Sequence, residues 1–167
     1  MIGEPFDKCV CKRRGDPHEL CNSQHSLIEN GLEVCMIPKK GEKALAFVFD
    51  GCIVSKTDPN VRCDGIFLLK KPHEKWIVTV ELKGGDLYKS YEQLHYTRNK
   101  RQVYKDLVQN FKNKDTRNPN ETSFIISNKI SGAFEKEKLN KLFSLNVRSI
   151  LQTEASKPPV NLRIHFN

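Results

Sequence analysis

The stretch WIVTVELKGGD, Trp76 to Asp86, runs through apolar and β-branched residues into Glu81 and Lys83, which share one face of an extended chain, and then into paired glycines. Upstream, CDGIFLLK, Cys63 to Lys70, is a second apolar run with an acid, Asp64, at its start. A reversal at Pro72-His73 sets Lys71 against Glu74 and carries the register to Asp64 opposite Glu81, with Cβ atoms about 4.5–5.5 Å apart. Like charges so placed repel unless they share a proton or hold a cation between them. Lys83 can neutralise one carboxylate. A divalent cation neutralises both, and hard oxygen ligands suit Mg²⁺ or Mn²⁺. The alternative is an Asp–Glu–Lys ion network at the mouth of a sheet, with the glycines merely turning the chain.

The elements that must position these groups follow from the same pattern. Both runs are apolar on both faces, so the hairpin is expected inside a sheet covered on each side. Asp86 caps a helix through LYKSYEQLHYT; Leu87, Tyr91 and Leu94 form one apolar stripe and Val103, Leu107 and Phe111 another on roughly the opposite side, so the helix curves, breaks near Arg98–Arg101, or is sandwiched. Before the hairpin, Asp16-Pro17 predicts a helix through Leu20, Gln24, Leu27 and Ile28 that Gly31 ends. LEVCMIP and ALAFVFDGCIV read as strands, as does TSFIIS. Phe134, Leu139, Leu142 and Phe143 suggest a last helix, and VRSILQ and VNLRIHF final strands. The expectation is an α/β protein, one domain over residues 1–167, with a central mixed sheet of roughly four to five strands flanked by helices. Within it, 1–15 is irregular, 17–127 is the core and 128–167 a C-terminal helix and strand extension.

RCDGIFLL followed by WIVTVELKGGD resembles the PD-(D/E)-x-K nuclease superfamily, the restriction-endonuclease-like fold, whose signature is an Asp at the start of one core strand and an acid-x-Lys on the next. The matching positions are Asp64 and Glu81-Leu82-Lys83, and the expected element order matches the family's α-β-β-β-α-β core. The resemblance implies metal-dependent hydrolysis of a phosphodiester bond. Asp64, Glu81 and the Leu82 carbonyl would hold Mg²⁺ (or Mn²⁺), and Lys83 would orient or help deprotonate the attacking water. Gln93 would stand on the following helix close to the metal. Some members add an acid from the first helix, for which Glu29, Glu19 and Asp50 are candidates. DNA is the substrate class expected first, with RNA, transfer RNA included, as the alternative. A non-catalytic nucleic-acid-binding or protein-interaction module is the other. Duplex cleavage needs two active sites or sequential nicking, so a homodimer is in keeping with it.

Composition agrees with an anionic partner. The chain of 167 residues carries a net charge of +8, with pI near 9.2 and mean hydropathy −0.56. Lys70, Lys75, Arg98, Lys100, Arg101 and Lys105 are the candidates for phosphate contacts, and Tyr88, His95 and Tyr96 interleave with them. No run reaches the roughly 18–20 apolar residues of a membrane span, and the N-terminus has acids and cysteines where a signal peptide needs an apolar stretch, so a cytoplasmic protein that avoids membranes is expected. There the six cysteines would be thiols or metal ligands, and Cys9, Cys11, His18 and Cys21 are a candidate Zn²⁺ set. Neither a G-x-S-x-G elbow nor a Gly-rich phosphate loop occurs, which excludes the serine-hydrolase and P-loop readings.

Overall fold

The computed structural model describes residues 2–12, 16–82, 86–112, 117–129, 132–152 and 158–166. Five strands, β4 (Lys43–Val48), β5 (Gly65–Lys70), β6 (Lys75–Leu82), β7 (Asn120–Ser127) and β8 (Val147–Leu151), form one sheet in chain order. The first three are an antiparallel meander; β7 and β8 join parallel to β6. Parallel neighbours need long crossovers. Helices α1 (Leu87–Lys100) and α2 (Gln102–Lys112) supply the first, and α3 (Ala133–Phe143) the second.

The two stripes of the long helical segment belong to two helices: of the three alternatives, curvature, a break or a sandwiched helix, the chain takes the break, at Arg101. α1 starts at Asp86, whose side chain accepts from the Lys89 amide at 3.0 Å, and it ends at Lys100. Such a cap contributes about 1 kcal/mol. Tyr91, Leu94, Tyr104, Leu107 and Phe111 of α1 and α2 pack with Ile66, Leu68, Ile77 and Ile125, which project from one face of the sheet. Phe67, Leu69, Val78, Val80, Leu82, Phe124 and Ile126 alternate with them and fill a second core on the other face. The β5–β6 hairpin is therefore covered on both sides, and every one of these residues is at most 2% exposed.

What covers the second face departs from expectation. No helix follows Asp16-Pro17. The segment forms short strands instead: β1 (Cys21–Ser23), β2 (Ser26–Glu29) and β3 (Leu32–Cys35), with β9 (Val160–Asn161) added parallel to β3. Asn30 and Gly31, with φ of 50° and 77°, form the tight turn that pairs Glu29 with Leu32. Positive φ at both central residues is what a two-residue hairpin loop demands. Leu20, Gln24, Leu27 and Ile28 thus owe their helical spacing to chance, since Leu27 is buried from a strand, opposite Val34. The tail differs too: VNLRIHF contributes only β9 and then a 3₁₀ turn, Leu162–His165.

Candidate functional site

The observed register of the hairpin is the expected one. Lys70 pairs with Lys75 and Gly65 with Val80, so the next position sets Asp64 opposite Glu81. Lys71 N donates to Glu74 O across the turn at 2.8 Å. Two-residue alternation puts Asp64 with Ile66 and Glu81 with Ile77, the residues that face the helices. Asp64 is 7% exposed and Glu81 1%. The fully buried Cys63 thiol is pushed well above the ordinary thiol range, first by burial and then by the charges of Glu81 and Asp64.

Asp64 is held from several directions. Its Oδ2 accepts from the Leu82 amide at 2.6 Å. Its backbone carbonyl accepts from Phe49 N at 3.0 Å and Asp50 N at 3.1 Å, which seats Asp50 beside it. The Thr97 hydroxyl accepts from Cys63 N at 2.9 Å, and Gln93 Nε2 donates to Arg62 O at 2.9 Å. Gln93 therefore reaches the site's neighbourhood, bracing the segment that leads into Asp64. Leu82 is brought to Asp64 through its N–H. Lys83 lies outside the described residues.

Asp64, immediately before β5, stands in the wall of a cleft of about 470 Å³. The loop Pro17 to Leu20 forms one side, the end of β2 with Glu29 and Asn30 another, and Asp50, Gly51 and Lys56 a third. All three candidate extra acids, Glu19, Glu29 and Asp50, thus line the same cleft as Asp64, although none comes from a helix. Asp50 is ion-paired to Arg62, Nε to Oδ1 at 2.6 Å. Four carboxylates thus line one opening, Asp50 already neutralised by Arg62; they do not converge on a point as metal ligands would, since among the described residues only Cys11, Asp16 and Cys21 bring three such ligand atoms within 4.8 Å of one another.

Much of the expected basic apparatus is elsewhere. Lys70 and Lys75 pair at the turn end of the hairpin, about 20 Å of strand away from Asp64. Lys75 caps α2 there, donating to Phe111 O at 3.1 Å and Lys112 O at 2.9 Å. Arg98 pairs with Glu121 at 3.4 Å and bonds Ser123. Arg101 clamps the loop before β5, binding the Asp58 carboxylate at 2.7 Å and the carbonyls of Asn60 and Val61. Asp58 is held well below the carboxylate range mainly by that guanidinium. Lys100 and Lys105 are exposed at the far end of α1 and on α2. The aromatic candidates are likewise engaged, Tyr88 and His95 against Phe143 and Tyr96 under Arg101.

The zinc set is corrected. Cys9 is disulfide-bonded to Cys52, and Cys11 to Cys21. An Asp16 carboxylate oxygen comes within 4.8 Å of both Cys11 and Cys21 sulfurs, but sulfurs joined to each other are not thiolate ligands. His18 directs Nε2 at Lys8 O, 3.3 Å away. Cys35 and Cys63 are the free, buried thiols. The two bridges lie on either side of the cleft. Cys11–Cys21 closes the loop that carries Pro17 to Leu20, and Cys9–Cys52 ties down the turn that carries Asp50 and Gly51. Both bridges, with Arg62 and Lys56, escaped sequence reasoning, because spacing does not reveal which cysteines pair. No helix among the described residues is long and apolar enough to cross a membrane.

Comparison of the chain with protein-family models, with curated proteins and with solved structures finds no match.

Proposed function

We propose that this chain is a metal-dependent nuclease that hydrolyses phosphodiester bonds, DNA being the first substrate class to test and RNA the second. The observation that carries the reading is the buried Asp64–Glu81 pair, brought opposite each other by the hairpin register, with Asp64 in the wall of an acid-lined cleft. The run β4-β5-β6-α1-α2-β7 supports it, an order compatible with the β-β-β-α-β part of the core that the resemblance implies, with the helix in two pieces. A β-sheet takes the place of the opening helix.

Asp64 and Glu81 would hold Mg²⁺ or Mn²⁺, and the cation would supply a water of lowered pKa and screen the anionic phosphate. The chain's own part is preorganisation. The Leu82 amide fixes one oxygen of Asp64, and the Thr97 and Gln93 side chains hold the Cys63 and Arg62 backbone, so the carboxylate is aimed before substrate arrives. Glu81, 1% exposed, sits where the low local dielectric would strengthen its attraction to a bound cation. Glu29 and Glu19 lie on the cleft's other walls, where they can accept a proton or a water. Lys83 keeps the water-orienting role that the resemblance implies. The two disulfides favour an oxidising compartment as the place of work over the cytoplasm.

The test is cleavage of supercoiled plasmid, single-stranded DNA and RNA with Mg²⁺, Mn²⁺ or EDTA. Activity that needs the metal and falls at least 100-fold in Asp64→Ala and Glu81→Gln is expected. Cleavage that persists in EDTA, or variants as active as the parent, would reject the reading.

A further inference from the structure

We infer that Lys56 is the cleft's phosphate-gripping cation, positioned to hold a nucleic-acid backbone beside Asp64; the inference rests on the nuclease reading. Three features of the loop between β4 and β5 place it. Gly51, at φ +87°, has no side chain, and a Cβ there would lie 2.8 Å from Lys56 Cε and 3.2 Å from Cγ, so the lysine stem runs across the bare turn. Arg62 then fixes the loop: its guanidinium donates to the carbonyls of Lys56, Asp58 and Asn60 at 3.3, 2.6 and 3.0 Å. Arg101 straps the same loop from α1. A flexible side chain is thereby given a fixed root and a fixed track, which lowers the entropy lost when it binds.

The charges single out Lys56. It lines the cleft with Glu19, Glu29, Asp50 and Asp64. Asp50, its neighbour across the turn, is already neutralised by Arg62 at 2.6 Å. Among the described residues the Lys56 ammonium makes no ion pair or hydrogen bond, whereas Lys75, Arg98 and Arg101 of the basic segments are engaged within the fold. An anionic backbone approaching the carboxylates needs a cation on the cleft wall, and Lys56 supplies one. A lysine there acts as a point charge on phosphate, blind to sequence.

Counterion release gives the expected size. One phosphate contact steepens the dependence of log K on log salt by about 0.9 for duplex DNA and about 0.7 for single strands. At 0.1 M salt this corresponds to about 8-fold in duplex affinity. The experiment measures fluorescence anisotropy of labelled duplex DNA, single-stranded DNA and RNA oligonucleotides in EDTA, where cleavage is suppressed, across a salt series. Lys56→Ala is expected to weaken binding about 8-fold and to flatten the slope by nearly one ion, with an unchanged melting temperature. Lys56→Arg should restore the slope, and Lys70→Ala, at the other end of the sheet, should leave it alone. A parent that binds while Lys56→Ala matches it in affinity and slope overturns the assignment. A parent that binds none of the three overturns the nucleic-acid reading, and the role of Lys56 with it.

Discussion

Replacing Gly65 by alanine should disturb both the fold and the cleft. Gly65 opens β5 directly after Asp64 and is paired with Val48 on one side and Val80 on the other. A Cβ there would stand 2.3 Å from Leu27 Cδ1 and 2.9 Å from Phe47 O. The first distance is more than 1 Å short of the ~3.5 Å at which two carbons touch. Neither neighbour can yield cheaply. Leu27 is fully buried between the sheets, and the Phe47 carbonyl belongs to the β4–β5 ladder. Overpacking of this kind costs about 1–3 kcal/mol, and Gly65→Ala belongs at the upper end because a backbone atom is involved. The strain should also reach the site. Leu27 and Glu29 alternate onto the same face of β2, so moving one moves the other along the cleft wall.

Urea denaturation of a double-mutant cycle reads the effect. Leu27→Ala alone should cost ~2–5 kcal/mol as a cavity. Combined with Gly65→Ala, the new methyl occupies part of that cavity, and the pair should cost at least about 1 kcal/mol less than the two separate losses together. A Gly65→Ala protein within ~0.5 kcal/mol of the parent, or strict additivity with Leu27→Ala, would refute the packing of β2 onto the start of β5.

Cys11 and Cys21 are 10 residues apart, and removing their bridge by Cys11→Ser with Cys21→Ser should cost about 3 kcal/mol through loop entropy. Hydrogen exchange should quicken in Pro17 to Leu20 first; uniform quickening would contradict a bridge that braces the cleft wall. Glu42, clasped by Arg163 at 2.5 Å, has its carboxyl lowered from an ordinary 4.5 to about 2, chiefly by that hydrogen-bonded guanidinium. A depressed carboxylate stabilises the fold above about pH 4.5 and loses that contribution as pH falls toward 2. Denaturation midpoints of the parent should therefore drop across this window, and Glu42→Gln, less stable by ~3 kcal/mol at pH 7, should drop less; equal acid sensitivity would contradict the pairing.

The parts of the structure that were legible in the sequence are those with strong local signals. The β5–β6 register follows from a tight reversal between two runs too apolar to slip, whereas two stripes on different sides of one segment narrow α1–α2 only to a curve, a break or a sandwiched helix. Asn30-Gly31 carried an equally strong hairpin signal. It lost to a four-residue coincidence of helical spacing, because β2 is too short to show alternation. Lys70 and Lys75 were misplaced for a geometric reason: they flank the hairpin's turn, and the carboxylates are at its open end. Arg98 and Arg101 look like a basic surface in sequence, yet Glu121 and Asp58 come from distant segments to neutralise them. Glu19, Glu29 and Asp50 were legible as candidates only as separate acids. Their meeting around Asp64 depends on a second sheet and two disulfides that no spacing rule reveals.

Isothermal titration of the metal-free protein with Mn²⁺ tests the joint grip of Asp64 and Glu81 most directly. The account predicts saturable uptake by the parent and at least a 10-fold loss of affinity in both Asp64→Asn and Glu81→Gln, with native circular dichroism retained. Uptake that is unchanged in either folded variant, or absent from the parent, would contradict it.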